Sequence, residues 1–156
     1  MISSWRRKAR RLGELDGPSR RLVLGSALML PLFWARVKLI GRCELGPADP
    51  AGQHTAESLG QASIADLKHV GQIVNRVAHH VLPPDNCLTR AVYLQWLLRR
   101  RGVQADLRLG VQLVHGQLRA HAWVEAAGHP LNDSDDVAER YLPFDQPLAP
   151  EPWPAA

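Results

Sequence analysis

Cysteine is scarce in this 156-residue chain, which holds two, Cys43 and Cys87. Two cysteines cannot staple a small disulfide scaffold, and they exclude a zinc site built from four. Aromatic residues are only 6% of the chain. No aromatic-studded basic sheet or reader motif accompanies the basic residues, which argues against nucleic-acid binding. No stretch of 18 uncharged apolar residues occurs, so a membrane-spanning helix is not expected. No internal repeat is present. What remains is an ordinary foldable composition, 46% hydrophobic and 22% charged, in a length that suits one domain.

The formal net charge of +4 is unevenly spread. Residues 1–21 hold seven basic residues (Arg6, Arg7, Lys8, Arg10, Arg11, Arg20, Arg21) against Glu14 and Asp16, and the remainder is near neutral. A basic run of this kind is either a solvated terminus or an attachment point for anionic lipid or an acidic partner. The apolar run Leu22–Ile40 starts like a signal-peptide core, but no small-residue cleavage site follows it. Trp34, Arg36 and Lys38 interrupt the run, and Pro31 is expected to kink it. It reads as an uncleaved amphipathic helix that packs on the domain, a partner or a membrane face, with Trp5 and Trp34 as candidate anchors. The expected location is cytoplasmic, with membrane-surface contact through this arm as an open alternative.

Three regions are expected: a helical arm and linker over 1–62, a core over 63–145, and a Pro-rich tail over 146–156. Residues 41–62 are rich in Gly, Pro, Ala and polar residues. Ser63 with Asp66 makes a capping-box pattern, and Leu67, Val70, Val74, Val77 and Val81 then recur at helical spacing up to Pro83-Pro84. Asp85 or Asn86 can cap the next helix, expected from Cys87 to Arg101 and stopped by Gly102. That helix is apolar on most sides and should be buried. After Gly102 the period changes to two, through Leu107, Leu109, Val111 and Leu113. A turn at His115-Gly116-Gln117 leads to a second strand with Ala120, Ala122 and Val124 on one face and Arg119, His121 and Trp123 on the other. Another turn at Ala127-Gly128-His129 leads to a short strand, Pro130-Leu131-Asn132. The expected class is α+β, a buried Cys-bearing helix packed on a small antiparallel sheet.

Cys87 opens the buried helix, where free N–H groups and the helix dipole favour a thiolate. His121 lies on the second strand, in the phase opposite Ala120 and Ala122. Asp133 follows the third short strand, where a tight antiparallel turn brings it beside His121. Nucleophile, base and orienting acid is the arrangement that covalent acyl chemistry needs. Other candidates have ordinary explanations. His79-His80 suits a helix end, with no third metal ligand at sensible spacing. Cys43 is incidental in a linker, and His115 and His129 belong to turns. Asp135, Asp136 and Glu139 look like a helix start, and core packing accounts for Trp123.

The segments "NCLTRAVYLQWLLRRRGVQADLRLGV" (86–111) and "AHAWVEAAGHPLNDSDDVAERYLPF" (120–144) carry four motifs in order: C-L-x-R-A, R-x-G-x-x-A-x-L, H-A-W-V-E and G-x-x-L-N-D. Together with the helical arm they resemble the transglutaminase-like leader peptidases of lasso-peptide biosynthesis. The resemblance implies a transglutaminase-like, papain-like fold and a cysteine peptidase that cuts the leader from a ribosomally made (RiPP) precursor. On that pattern the nucleophile falls on Cys87, the base on His121 and the orienting acid on Asp133, with no cofactor and no metal. Leu88 stands where broader transglutaminases commonly have Trp, which suits the peptidase branch. The segment before Ser63 is too short and too helical for the leader-binding module that many members carry. A separate RiPP recognition element is therefore the implied partner, beside the lasso cyclase. Gln72, Asn75 and Asn86 are the candidate oxyanion donors. A non-catalytic scaffold and another acyl-transfer enzyme on the same fold are the competing readings.

Overall fold

The structure is a computed structural model that describes residues 16–40 and 62–144. Trp5, the basic residues before Asp16, Cys43, residues 41–61 of the linker and the tail from 145 onward lie outside the described residues.

Helix α1 (Gly17–Ile40) starts behind Asp16, whose carboxylate accepts the Ser19 N–H at 3.2 Å. Leu22, Ser26 and Leu30 fall on one stripe and are buried. They face helix α2 (Ile64–Val81) and helix α3 (Cys87–Arg99). Ser26 Oγ and Tyr93 Oη share a buried hydrogen bond of 3.1 Å, and Phe33 packs edge-on to Tyr93 with ring centroids 5.3 Å apart. The opposite stripe, Leu24, Leu28 and Leu32, is exposed. Residues 17–39 are long and apolar enough to cross a membrane by length and composition alone, a test that a core helix also passes, with a mean hydropathy of 1.5 over 18 residues. Charge sits near the helix ends, at Arg20, Arg21, Arg36 and Lys38, and leaves the middle apolar.

The Ser63 capping box forms as its residues suggest: Ser63 Oγ accepts the Asp66 N–H at 3.1 Å, and the Asp66 carboxylate reaches back to the Ser63 N–H. Helix α2 then buries Leu67, Ile73, Val74, Val77 and Ala78. Helix α3 ends two residues earlier than expected, and Gly102 turns the chain with φ +75°. Asn86 is the N-cap residue, and its carbonyl accepts the Arg90 N–H at 3.0 Å, but its side-chain amide donates to the Pro83 carbonyl instead of accepting an N–H. Ala91, Tyr93, Leu94 and Leu98 bury α3 in the centre of the molecule.

Strands β1 (Asp106–Val114), β2 (Gln117–Ala126), β3 (His129–Pro130) and β4 (Leu142–Pro143) make one antiparallel sheet in the order β3-β2-β1-β4. Both hairpin turns have two consecutive positive φ values, at His115-Gly116 and Ala127-Gly128, the geometry that matches strand twist. Leu107, Leu109, Ala122 and Val124 face the helices. The alternation fails at the other end of the hairpin, where Leu113 and Leu118 are exposed because the sheet outruns α3. Helix α4 (Val137–Arg140) is one turn that anchors through buried Val137.

Candidate active site

The third strand is shorter than expected, and this shapes the site. β3 pairs with β2 only at Glu125 and Ala126. Beyond that point Asn132 takes over with its side chain: Val124 N–H donates to Asn132 Oδ1 at 2.8 Å, while Leu131 N–H donates to the Val124 carbonyl at 2.9 Å. Even-numbered residues of β2 therefore point their main-chain groups toward this edge, and at Ala122 no strand covers them. The N-terminus of α3 fills the gap. Cys87 sits there, where the Ala122 and Leu88 N–H groups favour its thiolate form.

His121 lies on the opposite face of β2 from Ala122, as its phase suggests. Its Nε2 is 2.6 Å from Asp133 Oδ2, so Nδ1 is the nitrogen left to face Cys87. The imidazole lies between two rings, Tyr141 at 4.7 Å and Trp123 at 6.2 Å, both nearly parallel to it. Asp133 is held at its second oxygen by the Ser134 N–H at 2.9 Å and by Arg140 at 3.0 Å. Stacking fixes the ring plane, and the carboxylate fixes the rotation within it.

Gly71 brings the acid into place. A Cβ there would lie 2.1 Å from the Leu131 carbonyl oxygen, so only glycine lets α2 pack this closely on residues 131–132. Asn75, one turn on, donates to the Asn132 carbonyl at 2.6 Å. Helix α2 thus clamps the main chain next to Asp133. Gly71, Asn132, Tyr141 and Arg140 were not singled out from the sequence. A glycine within a helical apolar pattern was the available signal, since it costs helix propensity without a compensating turn.

The electrostatics follow from this geometry. The hydrogen bond with Asp133, then that with Cys87, raises the His121 pKa to about 9 against the opposing effect of burial. Burial works to raise Asp133, but the hydrogen bonds from His121 and Ser134 outweigh it and hold the carboxyl at about 2. The hydrogen bond with His121 lowers the Cys87 thiol below the ordinary range despite partial burial. The imidazolium and the carboxylate are the favoured forms of their groups, and the thiol is shifted toward the thiolate. A thiolate of this kind can attack a carbonyl carbon, and the imidazolium can deliver a proton to a leaving group.

A cleft of about 760 Å³ opens over the sulfur, lined by Pro84, Asn86, Arg90, Ala120 and Tyr141 among others. Of the candidate oxyanion donors, Asn75 and Asn86 give their amide N–H to main-chain carbonyls, and Gln72 is exposed. Among the described residues no acceptor engages the Cys87 N–H itself. No cluster of three or more metal-ligating side chains occurs among the described residues.

The model of one protein family, described as the transglutaminase-like superfamily, matches residues 29–144. The chain belongs to the transglutaminase-like superfamily. The match starts within α1 and ends at Phe144, and so contains Cys87, His121 and Asp133. The superfamily includes cysteine peptidases and acyltransferases, and its enzymes usually carry a Cys-His-Asp set. Comparison with curated proteins and with solved structures returned no significant match. The transglutaminase-like domain here is α+β, a mixture of helices and antiparallel sheet.

Proposed function

We propose that this transglutaminase-like protein is a cysteine peptidase that releases the leader from a ribosomally made lasso-peptide precursor. The observation that carries the catalytic part is the 2.6 Å bond between Asp133 and His121 in the cleft that holds Cys87, whose thiol pKa the imidazole lowers. The lasso assignment is supported by the four motifs in their order along 86–144. Cys87 is the nucleophile, His121 the acid and base, and Asp133 the residue that orients the ring.

The Cys87 thiolate attacks the carbonyl at the leader–core junction, and a C–S bond forms as the carbonyl π electrons move to oxygen. The Cys87 N–H, free at the helix start, donates to that oxyanion. The C–N bond then breaks, and His121 gives its proton to the departing amine of the core peptide. Neutral His121 next takes a proton from water, whose hydroxide attacks the thioester and releases the leader with a free carboxylate. Asp133 stabilises the imidazolium each time it forms.

A separate recognition-element protein holds the leader, and the cyclase takes the released core. Contact with an anionic membrane surface through the N-terminal arm is part of this proposal, supported by the exposed leucines of α1 next to the basic run. The test is reconstitution: the purified chain, a lasso precursor and its recognition element are mixed, and products are weighed by mass spectrometry. The expected products are leader acid and core amine, absent with Cys87→Ala. A leader-amide product in the presence of added amine would instead assign acyl transfer. Normal cleavage by Cys87→Ala would end the nucleophile assignment.

A further inference from the structure

The cleft over Cys87 holds more positive charge than the proposed chemistry uses. Arg90 and Arg119 both line it, and Asp85 is the only carboxylate among the described lining residues. Arg90 stands three residues after the thiol on α3, so the two side chains share a helix face. Its Nε is buried with no hydrogen-bond partner, and its Nη1 donates only to the neutral Asn75 Oδ1, at a long 3.4 Å. Arg119 stands two residues before His121, on the same face of β2. It is exposed, and no carboxylate pairs with it among the described residues. The arginines beside the site behave differently: Arg108 is matched to Glu125 at 3.1 Å, and Arg140 to Asp133 and Asp136. Neither Arg90 nor Arg119 meets a carboxylate among the described residues, and a carboxylate bound in the cleft would supply one. The open N-terminus of α3 adds a field of the same sign.

We infer that Arg90 and Arg119 form an anion subsite next to the thiol, which takes a carboxylate lying within a residue or two of the scissile bond of the peptide substrate. The inference rests on the peptidase reading of Cys87 and adds a substrate preference to it. Arg90, the half-buried one of the two, fixes the carboxylate where its guanidinium lines the cleft. Arg119, being exposed, steers it in. At an internal junction that carboxylate belongs to an Asp or Glu side chain.

Two alkylating reagents of near-equal size that differ by one charge test this. Cys87 in the full chain is reacted with iodoacetamide and with iodoacetate, and the ratio of rates is normalised to that of N-acetylcysteine. His121 contributes a constant part of any preference for the anion. The expected result is a normalised ratio above one that falls about threefold in Arg119→Gln, the size of effect of one unit charge some 6 Å away in water. It falls again in Arg119→Glu and in Arg90→Gln, and it shrinks as salt is raised. A ratio that none of these variants changes overturns the subsite. Arg90→Gln touches a packed helix, so the exposed Arg119→Glu and the salt series decide the matter where that variant does not fold. The neutral reagent separates the two readings. If Cys87 reacts with iodoacetamide no faster than Cys43, the peptidase reading fails and takes the subsite with it. Fast reaction with a ratio blind to the arginines removes the subsite alone. Acetyl-Asp-Gly and acetyl-Asn-Gly chloromethyl ketones carry the test to a peptide: a faster Asp ketone supports a subsite for a side-chain carboxylate, and equal rates overturn it.

Discussion

The bond between His121 and Asp133 makes a stability prediction that can be worked to a number. Its two side chains are 16% and 20% exposed, so solvent screens them only in part. The imidazole is raised from 6.5 to about 9, which at 1.36 kcal/mol per unit caps its contribution at about 3 kcal/mol. Seen from the carboxylate, held at about 2 instead of 3.8, the figure is nearer 2 kcal/mol. We take the smaller value, because part of the imidazole's shift belongs to Cys87 and burial works against the carboxylate. Asp133→Asn keeps the shape and removes the charge, so the expected loss at pH 7 is about 1.5–2 kcal/mol, or roughly 4–8 °C in melting temperature. The sign follows from the raised pKa of His121. Its contribution is complete below pH 6.5 and is lost as pH rises through about 9. At pH 10 the imidazole is largely neutral in both proteins, and the difference should shrink to under about 1 kcal/mol, the excess of a carboxylate acceptor over an amide one. Urea unfolding followed by tryptophan fluorescence at the two pH values measures this, with Trp123 beside the site as a reporter. An equal loss at pH 7 and pH 10 would refute the charge-based account, and so would no loss at pH 7.

Other outcomes follow from the same contacts. His121→Ala should raise the Cys87 pKa toward an ordinary thiol and slow iodoacetamide alkylation at pH 6.5 by at least about tenfold; an unmoved pH–rate profile would show that the imidazole does not activate the sulfur. Gly71→Ala should destabilise the fold by roughly 2 kcal/mol or more although alanine favours helices, because its methyl meets the Leu131 carbonyl. Its urea midpoint tests this, and an unchanged or higher midpoint contradicts the clamp. Leu30→Ala, at a fully buried position, should cost about 3 kcal/mol; a loss under about 1 kcal/mol in the same assay would mean that α1 is not integral to the core.

The parts of this molecule that were readable from sequence are those governed by local rules. The capping box at Ser63 needs only Ser63 and Asp66, and the turn residues at 115–116 and 127–128 set the hairpins. Alternation in β2 is enough to put His121 and Ala122 on opposite faces, and a short turn is enough to bring Asp133 near His121. The missing parts depend on contacts across the chain. Nothing in the strand pattern distinguishes β3 pairing by main chain from Asn132 replacing it by side chain, yet that substitution exposes the Ala122 N–H to Cys87. The exposure of Leu113 and Leu118 was not readable for the same reason, since alternation cannot tell where the overlying helix stops.

Those two misses are connected. Because α3 begins part-way along the sheet, its N-terminus meets β2 at residue 122, and the hairpin beyond stands uncovered. The same offset that denies Leu113 and Leu118 a partner opens a cleft in front of the sulfur, between Asn86 on one side and Arg119–His121 on the other. A longer α3 or a longer β3 would bury more apolar surface and close the site. The helix start beside the thiol, the bare strand edge and the open cleft are therefore consequences of one packing choice. Gly71 lets α2 come close enough to hold the acid at the far side of the ring, so the row from Asp133 to Cys87 is braced from both ends.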